Sequence, residues 1–224
     1  MRPASLALLL ALGLVLPPAL AGTLVELSAE ASRPAANDLI RAVVFAEASG
    51  PDPAELAKRI NQDIGEALRL IKTRPAVTVK SGNQQTFPVY GKSRQIESWR
   101  MRAELLLETP DSGAIAELLA RLQQMKLALG NVAQMPSPAT RREVEAAVTQ
   151  DALKAFESRA TLVARTLGRT YRIKRLNVQQ AAPPAMPMLR SAPLAMAAEL
   201  SPVPLEAGES LISTTVSGEI ELAD

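Results

Sequence analysis

The strongest constraint on this chain is a long run in which apolar and polar side chains alternate. Across residues 94–108, Gln95, Glu97, Trp99, Met101, Ala103, Leu105 and Leu107 fall on one side, and Ile96, Ser98, Arg100, Arg102, Glu104, Leu106 and Glu108 on the other. A period of two puts successive side chains on opposite faces of a strand, so the apolar half of this segment demands a sheet with one face buried. The same alternation closes the chain at 209–222, where Ile212, Thr214, Val216, Gly218, Ile220 and Leu222 share a face. It also opens the folded part at 24–31, where Val25, Leu27, Ala29 and Ala31 oppose Glu26, Ser28 and Glu30.

Between these strands the period changes. Arg33-Pro34 through Asn37-Asp38 reads as a turn, and 39–48 as a second, more buried strand that ends at Ser49-Gly50-Pro51-Asp52-Pro53. Leu56, Ile60, Ile64, Leu68 and Ile71 then recur at helical spacing, which predicts a helix over 53–72 with Asp52 as its N-cap and Pro53 in its first turn. Residues 76–80 read as a short strand, 81–85 as a polar loop and 86–90 as extended chain. Ile115, Leu118, Leu119, Leu122 and Met125 predict a helix over 112–127, ended by Gly130-Asn131, with a short strand at 131–135. A long helix is expected over 139–167, with Val144, Val148, Ala152, Ala155, Phe156, Leu162, Val163 and Leu167 near one side and Gly168 as its stop. Tyr171 and Ile173 are out of phase with Leu176 and Val178, which predicts a bulge in a strand over 170–180. The expected fold class is α+β: antiparallel or mixed sheets packed with three main helices. Two hairpin-plus-helix units, near 24–72 and 76–127, suggest two similar lobes.

The N-terminus stands outside that fold. Arg2, the unbroken apolar run Ala4–Leu16, the break at Pro17-Pro18 and the small-residue site Ala19-Leu20-Ala21 match the three regions of a secretory signal peptide, with cleavage expected after Ala21. The run is short for a membrane span, which takes about 20 apolar residues. Removing 21 of 224 residues leaves 203 (residues 22–224), and losing Arg2 from 25 basic against 23 acidic residues leaves the mature chain almost neutral. Near-neutrality argues against a nucleic-acid footprint, which needs clustered excess charge. Aromatics make up only 3% of the chain, so the core must be built of Leu, Ile, Val and Ala. No later stretch is long and apolar enough to span a bilayer. An exported chain with no cysteine fits a bacterial periplasm better than a disulfide-rich extracellular space.

With no histidine and no cysteine, the His-dependent catalytic triads and the usual zinc, haem and iron–sulfur ligand sets have no residues to build them. No S-x-x-K, G-x-S-x-G, G-x-G-x-x-G or Walker lysine loop occurs. An enzyme of unfamiliar type would need carboxylates or a Ser–Lys pair brought together by the fold. Glu143 and Glu145 lie two apart on a helix and face different ways, as solvated helix charges do. Residues 181–204 hold six prolines and three methionines, Met186, Met188 and Met196, and read as an exposed loop. Thioethers favour Cu(I), so those three methionines are the one candidate metal site. The plainer alternative is an adaptable apolar loop. The basic residues Arg141, Arg142, Arg165, Arg169, Arg172, Lys174 and Arg175 read as a solvated face balanced by nearby glutamates. Trp99 reads as a core or interface anchor.

Four stretches together resemble the SIMPL domain family, exported bacterial proteins similar to periplasmic oxidative-stress defence proteins. They are VELSAEASRPAAND (25–38), RQIESWRMRAELLLETPDSGAIAELLARL (94–122), REVEAAVTQDALKAFESRATLVARTLG (142–168) and PLEAGESLISTTVSGEIEL (204–222). The resemblance implies an α+β fold, a signal peptide, a periplasmic or secreted address and a part in resistance to oxidative stress. It carries over no catalytic residue. The expected function is a non-enzymatic envelope scaffold, homo-oligomeric and without a cofactor, in which the terminal strand supplies subunit contacts. The alternative is a periplasmic binding module for a small ligand, a peptide or Cu(I).

Overall fold

The computed structural model describes residues 22–180 and 208–223. Its elements run β1 (Thr23–Ala36), β2 (Leu39–Gly50), α1 (Pro53–Lys72), β3 (Thr78–Tyr90), β4 (Ile96–Thr109), α2 (Ser112–Gln124), β5 (Ala128–Met135), α3 (Pro138–Thr166), β6 (Thr170–Gln180) and β7 (Glu209–Ala223). They form two sheets, one in the order β1-β7-β6 and the other in the order β3-β4-β2-β5. Every pairing is antiparallel, so the sheets are not mixed. The fold is α+β, as the alternation of periods predicts.

The four-stranded sheet buries the face that the sequence pattern assigns. Met101, Ala103, Leu105 and Leu107 of β4 are buried, as are Ile40, Ala42, Val44, Ala46 and Ala48 of β2. Helices α1 and α2 cover that face. Asp52 caps α1 by accepting a hydrogen bond from the Ala54 N–H at 2.7 Å, and Asp111 caps α2 by accepting from the Ala114 N–H at 2.9 Å. Leu118 and Leu122 of α2 and Ala67 and Ile71 of α1 join Leu105 and Leu107 in the main core, while Leu56, Ile60 and Met101 form a second cluster.

Among the described residues, α3 is the helix that covers the three-stranded sheet. Val148, Ala152, Phe156, Ala160 and Ala164 are its buried residues. Steps of four drift by about 40° per repeat on a helix of 3.6 residues per turn, so this stripe winds as the sheet beneath it twists. The expected stripe departs from the observed one in the second half. Leu162 and Leu167 are exposed, and the small side chains of Ala160 and Ala164 take the inward positions, which lets the helix backbone lie close to the sheet. Gly168 ends α3 in the left-handed conformation at φ 67°, as its position predicts.

Several boundaries differ from the expectation, each for a physical reason. β1 does not turn at Arg33-Pro34. It runs on to Ala36, because an edge strand tolerates a proline. It pairs with β7 and not β2, so 24–72 is not a hairpin unit, and the two sheets carry different complements of strands and helices. The expected loop at 81–85 is instead a bulged stretch of one continuous β3, with the register slipping between Ser81 and Gln84. Helix α2 stops at Gln124 and not near Gly130, because Lys126 adopts φ 69° and the Leu127 N–H returns to the Leu122 carbonyl at 3.1 Å. β5 therefore begins at Ala128 and includes Gly130. The terminal strand β7 is central, flanked by β1 and β6, and offers no free edge. The predicted bulge in β6 is present, between Ile173 and Arg175.

The chain crosses between the sheets twice: from β1 into β2 through Asn37-Asp38, and from β5 into α3 through Pro136-Ser137. One node holds both crossings. Asp38 accepts hydrogen bonds from the Ser137 N–H at 2.5 Å, the Ser137 hydroxyl at 3.0 Å and the Thr140 hydroxyl at 2.6 Å. Beside it, the Asn37 N–H donates to the Gly208 carbonyl at 3.0 Å, and the Ser210 hydroxyl donates to Asn37 Oδ1 at 2.7 Å.

Candidate functional site

The face of the four-stranded sheet turned away from α1 and α2 is the best-defined polar surface of the described residues. The β2–β4 register sets Arg41 opposite Glu108, Val43 opposite Leu106, Phe45 opposite Glu104, Glu47 opposite Arg102 and Ser49 opposite Arg100. On the far side of β4, strand β3 adds Gln85 opposite Arg102, Phe87 opposite Arg100 and Val89 opposite Ser98. Part of this face, from Glu47, Arg100, Arg102 and Glu104 to Gln85, Phe87 and Val89, lines a shallow hollow of about 560 Å³.

Its charges are arranged in pairs. The Arg102 guanidinium lies over the Phe45 ring, 3.5 Å from the centroid, and reaches Glu104 Oε1 at 2.9 Å. The aromatic face and the carboxylate together hold that guanidinium flat on the sheet. Arg100 stands 3.8 Å from Glu47. At the end of the sheet nearer the node, Arg41 and Lys80 converge on Glu108 at 2.6 and 3.3 Å. Burial pushes the Glu108 carboxyl upward, but hydrogen bonds and charge from Arg41 and Lys80 outweigh it and hold the group below the usual carboxylate range. Hydrogen bonds from Thr140 and Ser137 likewise hold Asp38 low. The hollow is thus lined by paired charges and by the exposed ring of Phe87.

Of the residues singled out in the sequence, Met186, Met188 and Met196 lie outside the described residues, as do residues 1–21 and the rest of 181–204. Among the described residues, no group of three or more acidic side chains is placed to hold a metal ion. Glu145 pairs with Arg141 at 3.5 Å. Lys174 and Arg175 pair across the strand with Glu221 at 2.9 Å and Glu219 at 3.8 Å, the balance of charge expected of that face. Arg169 donates to the Thr23 hydroxyl at 3.3 Å. Trp99 packs partly buried against the second cluster, on the face opposite Arg100 and Arg102. Sequence reasoning missed two features: the Asp38 node, whose only sign was an Asx residue at a presumed turn, and the stacking of Arg102 on Phe45. The second needed the β2–β4 register, which no local pattern carries.

Among the described residues no helix is long and apolar enough to cross a membrane. Residues 25–220 match the SIMPL family, described as a protein of unknown function (DUF541). No curated protein matches the chain. Among solved structures it is similar to an amidase of the hydantoinase/carbamoylase family from Burkholderia vietnamiensis, at 18% identity over 48% of this chain and 27% of that one, with a TM-score of 0.25. It is similar to another of that description from Burkholderia multivorans, at 18% identity over 48% and 28%, also with a TM-score of 0.25. The chain thus covers little more than a quarter of those enzymes. A likeness at that score carries no argument about fold or activity.

Proposed function

The chain belongs to the SIMPL family, and from that premise we propose that it is an exported, non-enzymatic envelope protein that assembles as a homo-oligomeric scaffold and contributes to defence against oxidative stress. The observation that carries the oligomeric part is architectural. Among the described residues, each sheet ends in two strands with one side unpaired, β1 and β6 in one and β3 and β5 in the other, and free edges are where chains join. The non-enzymatic part is supported by a sequence without His or Cys and by the hydrogen bonds and ion pairs that hold Asp38, Glu104 and Glu108. Export is supported by the three-part leader at residues 1–21. The stress role is supported by the family resemblance.

Light scattering on the mature chain tests the assembly, and the survival under peroxide of cells lacking the protein tests the role. A strictly monomeric protein, or a deletion strain no more sensitive than its parent, sinks the reading. The hollow lined by Phe87, Arg100 and Arg102 favours a second reading, a binding module for a small ligand or peptide. Its Cu(I) version rests on Met186, Met188 and Met196. Unchanged copper binding after all three are replaced by Leu disposes of that version.

A further inference from the structure

We propose that the free edge of β5 is where this chain pairs with a second copy of itself, antiparallel about a two-fold axis, so that two four-stranded sheets become one. The inference rests on the oligomeric reading above and names its contact.

The four free edges are not equivalent. β1 carries Glu26, Glu30, Arg33 and Pro34, and Arg159 of α3 donates to its Ser28 carbonyl. β6 carries Arg172, Lys174 and Arg175 and is bulged at Lys174. β3 carries Lys80 and Pro88 and is bulged between Ser81 and Gln84. Charged side chains, prolines, bulges and covering groups are the devices by which sheet edges resist pairing. β5 reads ALGNVAQM, with no charge and no proline. Its irregularity is confined to Gly130, which leaves Asn131–Met135 in regular register with β2.

The missing charge also indicates the occupant. In an isologous contact each strand meets its own copy, so any charge on it would face a like charge near the axis. A neutral strand avoids that conflict. The whole chain, with 25 basic and 23 acidic residues, adds little long-range repulsion between copies. The pairing would also continue a core. Val132 pairs with buried Ala42 and Leu129 with buried Val44, which places both on the helix-covered face. Val132 packs against the main core, whereas Leu129 is left 36% exposed. A second copy would bring its own Leu129 and Val132 to the same face and cover the exposed Leu129, adding side-chain contact to the backbone ladder.

The test uses the mature full chain. Light scattering gives the mass, and hydrogen exchange followed by mass spectrometry gives the protection of the 128–135 amides. Asn131→Lys places a like charge beside the axis on an exposed position, and Asn131→Ser is the neutral control. Ala133→Lys repeats the test two residues along. The expected result is a dimer or multiple of dimers with protected β5 amides. Either Lys variant should weaken its association several-fold and speed exchange in 128–135, while the Ser variant and the Trp99 emission stay unchanged. An assembly of unchanged mass in both Lys variants, or one whose β5 amides exchange freely, overturns the β5 contact and leaves the scaffold reading standing. A monomer at every concentration overturns both.

Discussion

Gly218 sits mid-strand in β7, the centre of the three-stranded sheet, and its side-chain position is already filled by its neighbours. A Cβ added there would fall inside the contact radius of the Arg175 carbonyl oxygen and lie 3.0 Å from Leu176 Cδ2 and 3.1 Å from Phe156 Cζ. That carbonyl belongs to the residue at which the β6 register slips, between Ile173 and Arg175. A glycine inside a strand often marks such an approach. The leucine methyl and the ring tip can give way by a few tenths of an ångström. A backbone carbonyl in a bulged strand cannot move without disturbing the ladder. Gly218→Ala therefore belongs at the upper end of overpacking costs, about 3 kcal/mol. For a chain of this size that lowers Tm by roughly 6–12 °C, at about 2–4 °C per kcal/mol. Thermal unfolding followed by circular dichroism measures it. Adding Phe156→Leu separates the two obstacles: the ring is removed but the carbonyl remains, so the alanine penalty should persist in that background. A Gly218→Ala protein melting within about 2 °C of wild type refutes the clash outright. Full rescue by Phe156→Leu would show that the ring, and not the backbone, was in the way.

Three further substitutions test separate parts of the packing and charge. Thr214 is fully buried and its hydroxyl has no partner among the described residues, so Thr214→Val should stabilise by about 1 kcal/mol in urea unfolding. Lys126 occupies the left-handed region without being glycine, and Lys126→Gly should raise stability by about 0.5–1 kcal/mol once the flexibility of glycine in the unfolded chain is offset. Glu108 is held below the usual carboxylate range by Arg41 and Lys80, so the folded chain binds fewer protons there than the unfolded one. Its contribution is present above the ordinary carboxylate pKa and is lost as pH falls through the folded value. Glu108→Gln should thus lower stability at neutral pH and flatten its decline below about pH 5. An unchanged acid limb would count against that assignment.

Local periodicity carried most of the elements, because strand and helix each bury one face and leave that period in the sequence. β4, β7 and α1 were legible for this reason, and so were the Asp52 cap and the β6 bulge. Partner choice was not legible. Nothing within residues 24–50 says that β1 lies beside β7 and not β2, since pairing over that separation depends on the rest of the fold. The α3 stripe was misread in its second half because Leu162 and Leu167 outweigh Ala160 and Ala164 in hydrophobicity, whereas close approach of a helix to a sheet favours the small residues. The hollow on the four-stranded sheet was half legible. Alternation put Arg100, Arg102 and Glu104 on one face of β4, but Phe45 joined them only through cross-strand register.

The order of the pairings also has a consequence for how the chain assembles. The four-stranded sheet and its two helices use one continuous stretch, 39–135, so all their contacts are closed by short and middling loops. The three-stranded sheet pairs Thr23 with Leu222, close to the full length of the folded chain. Loop closure and contact order make the first sheet the earlier to form and the second the later. During that interval β1 has no neighbour on either side, although it is the first strand to emerge from synthesis. Glu26, Glu30, Arg33 and Pro34, which blunt the outer edge of β1 in the finished fold, then also guard a strand that must wait for its partner. β5 has no such wait. β2 and the turn after α2 are in place as soon as residue 135 is made, and one side of the strand is satisfied at once. Once the larger sheet has folded, β5 is held against β2 with its outer side outward, the state in which pairing with a second folded copy is productive.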